Sequence, residues 1–203
     1  MLTIENINIC YGDVPVLSGV GFSVYEGCCL IIKGSNGIGK TSLLKIICGL
    51  TKPDAGNIYW QKQNIDNILP DYQQQLKFIG HKNFFKTQLT VLENIKFYSS
   101  FGSTEINVPM ALHFFELLPV ADVQIKKLSA GWQQKALLAL LLIDDYKLWL
   151  LDEPSRNLDL AAKQKLHSLI KTRVEQKGIV LLVTHDDFFD NLGQVINLDD
   201  FCG

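Results

Sequence analysis

The chain has 203 residues, of which 47% are hydrophobic and 20% are charged, and its formal net charge is −2. This composition is typical of a folded domain and excludes the disordered and collagen-like classes. The length allows one domain with a substantial core but not two full domains, and a net charge close to zero gives no global attraction to a polyanion, so no nucleic-acid partner is expected.

The alternation of apolar runs with turn residues predicts strands that alternate with helices. In chain order, strands are predicted at 2–11, 20–33, 56–61, 76–80, 148–151 and 179–183, and helices at 40–50, 91–118, 129–143 and 161–176, with a short strand after residue 191. Such alternation favours a largely parallel sheet with helices on its faces. We predict one domain over 1–203, with an α/β core at 1–81 and 146–203 and an inserted helical lobe at about 82–145.

Neither disulfides nor a membrane span are expected from the sequence. The five cysteines are odd in number, Cys28 and Cys29 are adjacent, and no pair has the CxxC spacing of a zinc site. This pattern favours reduced thiols in a cytosolic protein. The longest apolar run, at 136–143, has eight residues, whereas about twenty are needed to span a bilayer. A function at a membrane would therefore depend on other subunits.

The segment at 34–41, GSNGIGKT, matches the pattern G-x-x-x-x-G-K-[ST] between a predicted strand and a predicted helix. Its glycines let successive backbone N–H groups point at phosphate oxygens, and the helix N-terminus adds partial positive charge. Lys40 can reach the β- and γ-phosphates of a nucleotide, and the Thr41 hydroxyl can ligate magnesium. The predicted nucleotide-binding residues are Gly34, Ser35, Asn36, Gly37, Ile38, Gly39, Lys40, Thr41 and Ser42. A plain glycine turn before a helix is the alternative interpretation.

The predicted buried strand at 148–151 ends in two carboxylates, Asp152 and Glu153. Asp152 is placed to hold a magnesium ion, and Glu153 can accept a proton from an attacking water. Acidic pairs of this kind also cap helices, so the pair alone does not decide between the two roles. Together with the phosphate loop it predicts a hydrolase site.

The segment at 128–135, LSAGWQQK, opens the predicted helix at 129–143. By itself it suggests only that Ser129 caps the helix and that Gly131 relieves crowding in its first turn. It also resembles the LSGGQ signature of the ATP-binding-cassette (ABC) ATPases, and it lies just before the acidic strand, as in that family. The resemblance includes DEP at 152–154, SRNLD at 155–159 and Thr184-His185, and it covers essentially the whole chain.

The resemblance implies an α/β P-loop NTPase fold of the ABC type, with a RecA-like core, an N-terminal antiparallel β part and the inserted helical lobe. It also implies that two cassettes face head to tail, with ATP and Mg²⁺ between the phosphate loop of one and the signature of the other. Ser129 and Gly131 would meet the γ-phosphate across this interface, and Asp159 would close it. His185 would position the attacking water, and Tyr11 would stack on adenine.

Two residues depart from the family signature. Ala130 stands in place of a glycine, and Trp132 stands in place of the usual glutamine, where an indole ring could stack or pack. We expect ATPase activity to survive these changes. A non-catalytic, nucleotide-switched binding module is the alternative that Trp132 leaves open.

A smaller set of residues is similar to the ATP-binding subunits of haem exporters in cytochrome c maturation. This set is Gly80, His81, Lys86, Leu89, Thr90, Glu93, Asn94, Phe97 and Tyr98. His81 stands where most cassettes carry a glutamine that senses magnesium and the membrane partner, so the resemblance implies a catalytic and coupling role for it. It further implies membrane partners of the CcmB and CcmC type, on the cytoplasmic face of the bacterial inner membrane, for haem export or release of a haem-loaded chaperone.

The cargo has one alternative at this stage, because the same ATPase chemistry drives exporters of lipids or drugs. No His, Met or Cys pair is spaced as an axial haem site, so no direct haem site is expected on this chain.

Overall fold

The computed structural model describes residues 1–12, 14–81, 83–100 and 108–201. Its strands are β1 Leu2–Tyr11, β2 Val14–Val24, β3 Cys28–Lys33, β4 Ala55–Trp60, β5 Gln63–Asn64, β6 Leu76–Ile79, β7 Leu148–Asp152, β8 Ile179–Val183 and β9 Gln194–Asn197. Its α-helices are α1 Lys40–Ile47, α2 Leu69–Gln74, α3 Val91–Ser99, α4 Val108–Phe114, α5 Ala130–Ala139 and α6 Leu160–Glu175. In these ranges, no helix has both the length and the apolar character needed to cross a bilayer.

The strands form two sheets. The N-terminal sheet is antiparallel with the order β2-β1-β4-β5, and the second sheet is parallel with the order β6-β7-β8-β3-β9. Every residue of β7 and of β8 is buried, which explains their continuous apolar sequences, because a central parallel strand is covered on both faces. The predicted α/β fold with an antiparallel N-terminal part is confirmed.

The parallel sheet separates two hydrophobic clusters. On β7, Trp149 and Leu151 pack with buried residues of α3, α4, α5 and α6. Leu148 and Leu150 face the other way and pack with α1, α2 and the antiparallel sheet. Successive side chains of a strand point to opposite faces, so one strand holds both layers together. The carboxyl ends of the strands are left free to carry functional side chains.

The predicted boundaries are wrong at several places. The strand predicted at 20–33 is two strands, β2 and β3, because a turn with Gly27 at φ 75° interrupts it. The helix α2 is missing from the prediction, since it has six residues and buries only Tyr72. The helix predicted at 91–118 corresponds to α3 and α4, and its part at 101–107 lies outside the described residues. Pro109 does not break α4 because it lies in the first turn, where no N–H is needed.

The start of α3 is held by side chains that the sequence places close together. Thr90 and Glu93 form a reciprocal capping box, in which the Thr90 N–H donates to the Glu93 carboxylate at 2.8 Å. The buried Asn94 amide donates to the carbonyl oxygens of Lys86 and Thr90 and accepts the Lys86 N–H. These bonds fix the connection that leads from β6 into the helical part of the chain.

The half-buried Lys77 on β6 is expected to make the free energy of unfolding depend on pH. Its Nζ lies 5.2 Å from the ring centroid of Tyr146, and burial lowers the pKa of Lys77 to about 8, against the opposing effect of Asp144. The folded chain therefore binds fewer protons than the unfolded chain between pH 8 and 10.5, so this group makes stability rise with pH in that window.

Lys77→Met should raise the free energy of unfolding by about 1–3 kcal/mol at pH 7, because it removes the cost of burying a charge. The gain over wild type should shrink as the pH rises from 8 to 10.5. Urea unfolding of both proteins across this range measures it. Lys147→Met, at an exposed position nearby, is the control, and a pH-independent gain for Lys77→Met would contradict the prediction.

Candidate functional site

The predicted site residues of four separate segments meet at the carboxyl edge of the parallel sheet. A cleft of about 670 Å³ opens there, beside the ends of β3, β6, β7 and β8. Its lining residues are Asn36, Gly37, Gly39, Lys40, Thr41, Ser42, Lys45, Phe78, Gly80, His81, Phe84, Asp152, Glu153 and His185. Open parallel sheets bind their ligands at this edge.

The loop before α1 wraps tightly around one end of the cleft. Gly39 has φ 103°, and a Cβ atom there would lie 2.8 Å from side-chain carbons of Val16 and Leu17, so only glycine fits. The Lys40 Nζ donates to the carbonyl oxygens of Gly34 at 2.6 Å and Ser35 at 2.8 Å. The loop is thereby closed on itself, with its backbone curved around the lysine.

Thr41 and Asp152 bring two oxygen ligands together on the floor of the cleft. The Thr41 hydroxyl donates to the Asp152 carboxylate at 2.7 Å, and Asp152 is only 3% exposed. Mg²⁺ prefers oxygen donors and is usually held by one or two protein groups together with phosphates and waters. The pair fits that ion, although within the described residues no cluster of three or more His, Cys, Asp or Glu could hold a metal on its own.

Glu153 has the environment of a proton acceptor. Its backbone is in the left-handed region with φ 50°, an uncommon conformation that is often found at functional sites. Its Oε1 atom is buried, has no hydrogen-bond partner within the described part of the chain, and lies 3.7 Å from His185 Nε2. Burial raises the pKa of Glu153, and the neighbouring His185 partly offsets this. The carboxylate is therefore held beside a half-exposed imidazole without being neutralised by a strong partner.

His81 lies at the rim of the same cleft. It follows β6, its side chain is exposed, and its imidazole contacts the guanidinium of Arg156 from the loop after β7. His81 and Lys40 thus line the same cleft. The contact of Arg156 with His81 was not predicted, because nothing in the segment around Arg156 indicates a partner 75 positions away.

Tyr11 lies beside the phosphate loop but outside the residues that line the cleft. Its hydroxyl is 3.1 Å from Ser42 Oγ, and the residue is 55% exposed. The ring is therefore accessible next to the first turn of α1, as a base-stacking role requires.

The predicted residues of the segments at 128–135 and 155–159 also lie outside the residues that line the cleft. Ser129 caps α5, and Asp159 caps α6 by accepting the Ala162 N–H at 2.7 Å and pairs with Lys135 at 2.8 Å. Gly131 lies against the loop before α6, where a Cβ atom would be 2.8 Å from the Asn157 carbonyl oxygen. Contacts between α5 and the loop at 157–159 thus bring these residues close to one another, and none of the three lines the cleft.

Side chains outside the predicted site also hold its loops. Lys33 pairs with Asp187 and Asp190, both at 2.6 Å, and so ties the start of the phosphate loop to the turn after His185. The Gln134 amide donates to the Pro154 carbonyl oxygen at 2.9 Å. These residues have no sequence motif of their own, because their role depends on which loops the fold brings together.

The amino-acid sequence of this chain is similar to those of known proteins. The profile of the ABC transporter family matches residues 17–156. The cytochrome c biogenesis ATP-binding export protein CcmA of Photobacterium profundum is 36% identical over an alignment of 203 residues that covers 93% of this chain and 94% of that protein. CcmA of Escherichia coli (strain K12) is 40% identical over 178 residues, covering 87% of this chain and 86% of that protein.

Solved structures show the same architecture. The dimeric ATP-binding cassette MJ0796 bound to ADP and Pi has a TM-score of 0.87 and 27% identity, covering 97% of this chain and 94% of that chain. A second dimeric structure of that bacterial ABC transporter cassette has a TM-score of 0.85 and 26% identity, with the same coverage of 97% and 94%. The chain therefore belongs to the ABC transporter family, as an ATP-binding subunit that resembles the CcmA export proteins.

Proposed function

We propose that this chain is the ATP-binding and ATP-hydrolysing subunit of a membrane ABC complex in cytochrome c biogenesis, which exports haem or releases a haem-loaded chaperone. The observation that carries the proposal is the convergence of Lys40, Thr41, Asp152 and Glu153 in one cleft. The CcmA relatives, at 36% and 40% identity, support the direction toward cytochrome c biogenesis.

The roles of the cleft residues follow from their chemistry. The curved loop at 34–42 would bind the phosphates of ATP through its backbone N–H groups, with Lys40 adding a positive charge. Thr41 and Asp152 would hold Mg²⁺, which when bound polarises the phosphoryl oxygens. Glu153 would take a proton from the attacking water, and His185 would orient that water.

A second copy of the cassette would complete the site. Ser129, Gly131 and Asp159 do not line the Lys40 cleft, and in the proposed arrangement they contact the phosphates of a nucleotide bound to the other molecule. The dimeric structures of the MJ0796 cassette support a homodimer, and the family resemblance implies that its two cassettes face head to tail. We place the whole chain, 1–203, in one such cassette, with its helical lobe at about 82–145 and its core on either side.

Membrane subunits of the CcmB and CcmC type would bind near His81, on the cytoplasmic face of the inner membrane. The surface there combines aromatic rings with a cation, since Phe84 is 38% exposed and the Lys86 Nζ lies 3.7 Å from the ring centroid of Phe97. His81 and Phe84 both line the nucleotide cleft, so a membrane subunit bound at this surface would lie close to His81 and could respond to the bound nucleotide through it.

The partners are tested by purifying the complex from detergent-solubilised membranes and identifying what accompanies the chain. Recovery of subunits of the CcmB and CcmC type is the expected result. Recovery with an unrelated lipid or drug permease would instead identify an exporter of another cargo. ATP-dependent phosphate release by the purified complex is measured in the same preparation.

Lys40→Ala should weaken ADP binding by about 10- to 100-fold, because hydrogen bonds to a charged donor contribute about 1.5–3 kcal/mol. Calorimetric titration with ADP in the presence of magnesium measures the change. Lys52→Ala, at an exposed position, serves as the control. Unchanged affinity in Lys40→Ala would contradict the assignment of the phosphate loop.

A further inference from the structure

The C-terminal turn of the described chain is fastened to the phosphate loop. The strand β9 runs parallel to β3, and a 3₁₀ turn at Leu198–Phe201 follows it. The Asp199 carboxylate accepts the backbone N–H of Ser35 at 3.0 and 3.2 Å for its two oxygens. Ser35 is the first residue after Gly34 in the loop, and its carbonyl oxygen accepts from Lys40.

Asp199 is itself held in place. Its backbone N–H donates to the Asn197 side-chain oxygen at 3.2 Å. The neighbouring Leu198 is fully buried, and its Cβ would lie 3.3 Å from a Cβ atom built on Gly34. The carboxylate is therefore presented to the loop by a packed turn.

The Asp199 carboxylate has no ion-pair partner in the described part of the chain. A nucleotide in the cleft brings further negative charge to the loop that Asp199 touches. The carboxylate thus orders the loop by a hydrogen bond, and its negative charge would repel the phosphates of a bound nucleotide.

We propose that Asp199 is a positioning residue of the phosphate loop, which orders Ser35 through its backbone N–H and limits the affinity for nucleotide phosphates through its charge. The inference rests on the proposed nucleotide-binding function. Two substitutions separate the two effects, since asparagine keeps an acceptor oxygen but not the charge, and alanine keeps neither.

Asp199→Asn should bind ADP about 3-fold more tightly than wild type, because one repulsive charge is removed. Asp199→Ala should bind ADP about 10-fold more weakly than Asp199→Asn, because the Ser35 N–H loses its acceptor and the loop loses its order. Calorimetric titration with ADP and magnesium measures both. The gain of Asp199→Asn should shrink at high salt, whereas the difference between the two variants should persist. Asp200→Asn, an equal charge change at the adjacent exposed position, should change the affinity less than Asp199→Asn does.

Amide hydrogen exchange tests the hydrogen bond between Ser35 and Asp199 in the absence of nucleotide. Exchange of the Ser35 amide should be accelerated about 10-fold or more in Asp199→Ala and stay close to wild type in Asp199→Asn. If wild type binds ADP and neither variant alters affinity or exchange, the inference about Asp199 is wrong. If wild type does not bind ADP, the proposed nucleotide site is wrong, and the exchange measurement still decides whether Asp199 orders the loop.

Discussion

Replacement of Glu153 by Gln should slow ATP hydrolysis by the assembled complex at least about 100-fold, while ATP binding is retained. The amide has nearly the same shape as the carboxyl group, but it cannot accept the proton of an attacking water. The buried position of Oε1 beside His185 leaves the acceptor free for this task. An ATP-bound dimer should therefore accumulate, which is measured by size-exclusion chromatography in ATP and magnesium.

The pH dependence of ATP hydrolysis is a second test of Glu153 as the base. Burial raises the pKa of Glu153 above its ordinary value of 4.5. The rate of hydrolysis should therefore begin to fall at a pH above 4.5 as the solution is made more acidic. Glu175→Gln, an identical chemical change on the exposed side of α6, should leave rate and profile unaltered. Wild-type turnover by Glu153→Gln would remove Glu153 as the base.

Gly56→Ala should lower the free energy of unfolding by about 2–5 kcal/mol, because the added methyl group would meet backbone atoms and the backbone conformation is strained for alanine. Gly56 has φ 97°, and an added Cβ would clash with the carbonyl oxygen of Asn6 on the neighbouring strand. The clash is with backbone, so no side-chain rotation relieves it. Here the pairing of β1 with β4 is irregular between Glu5 and Asn8, which makes the close approach part of the sheet. Urea unfolding measures the change.

Gly12→Ala measures the cost of backbone strain at a positive φ without the steric clash that Gly56→Ala adds. Gly12 also has a positive φ of 63°, but among the described residues beyond its chain neighbours a Cβ atom there would meet nothing within 4 Å. Only conformational strain remains, so the expected cost is about 1–2 kcal/mol. Equal losses for Gly12→Ala and Gly56→Ala would show that the contact with Asn6 is relieved by movement of β1.

The phosphate loop and the acidic pair were predictable because their signals are local. The pattern at 34–41 has its glycines and its lysine at positions that depend only on a strand-to-helix turn, and the apolar run of β7 leads directly to Asp152. Parallel strands bring their carboxyl ends to one edge, so the meeting of Lys40 and Asp152 followed from the predicted fold class. The placement of Ser129 and Gly131 away from the cleft also follows from the family resemblance, which requires a second cassette.

The boundaries were less predictable, since short elements carry little periodic signal. The six residues of α2 bury one side chain, and the turn before β3 divides the stretch at 20–33, which was predicted as one strand. Whether such short elements form depends on the packing of α1, α2 and the antiparallel sheet against one another. That packing joins residues far apart in the sequence, so local patterns do not predict it.

The amino-acid sequence by itself determined the fold class, the phosphate loop and the acidic end of β7, because each depends on the spacing of residues within one or two elements. Only the tertiary structure decided that Arg156 meets His81 and that Asp199 accepts the Ser35 N–H, 164 positions away. Such contacts carry no periodicity, because hydrogen bonds between distant loops arise only after the sheet has set the distance between those loops.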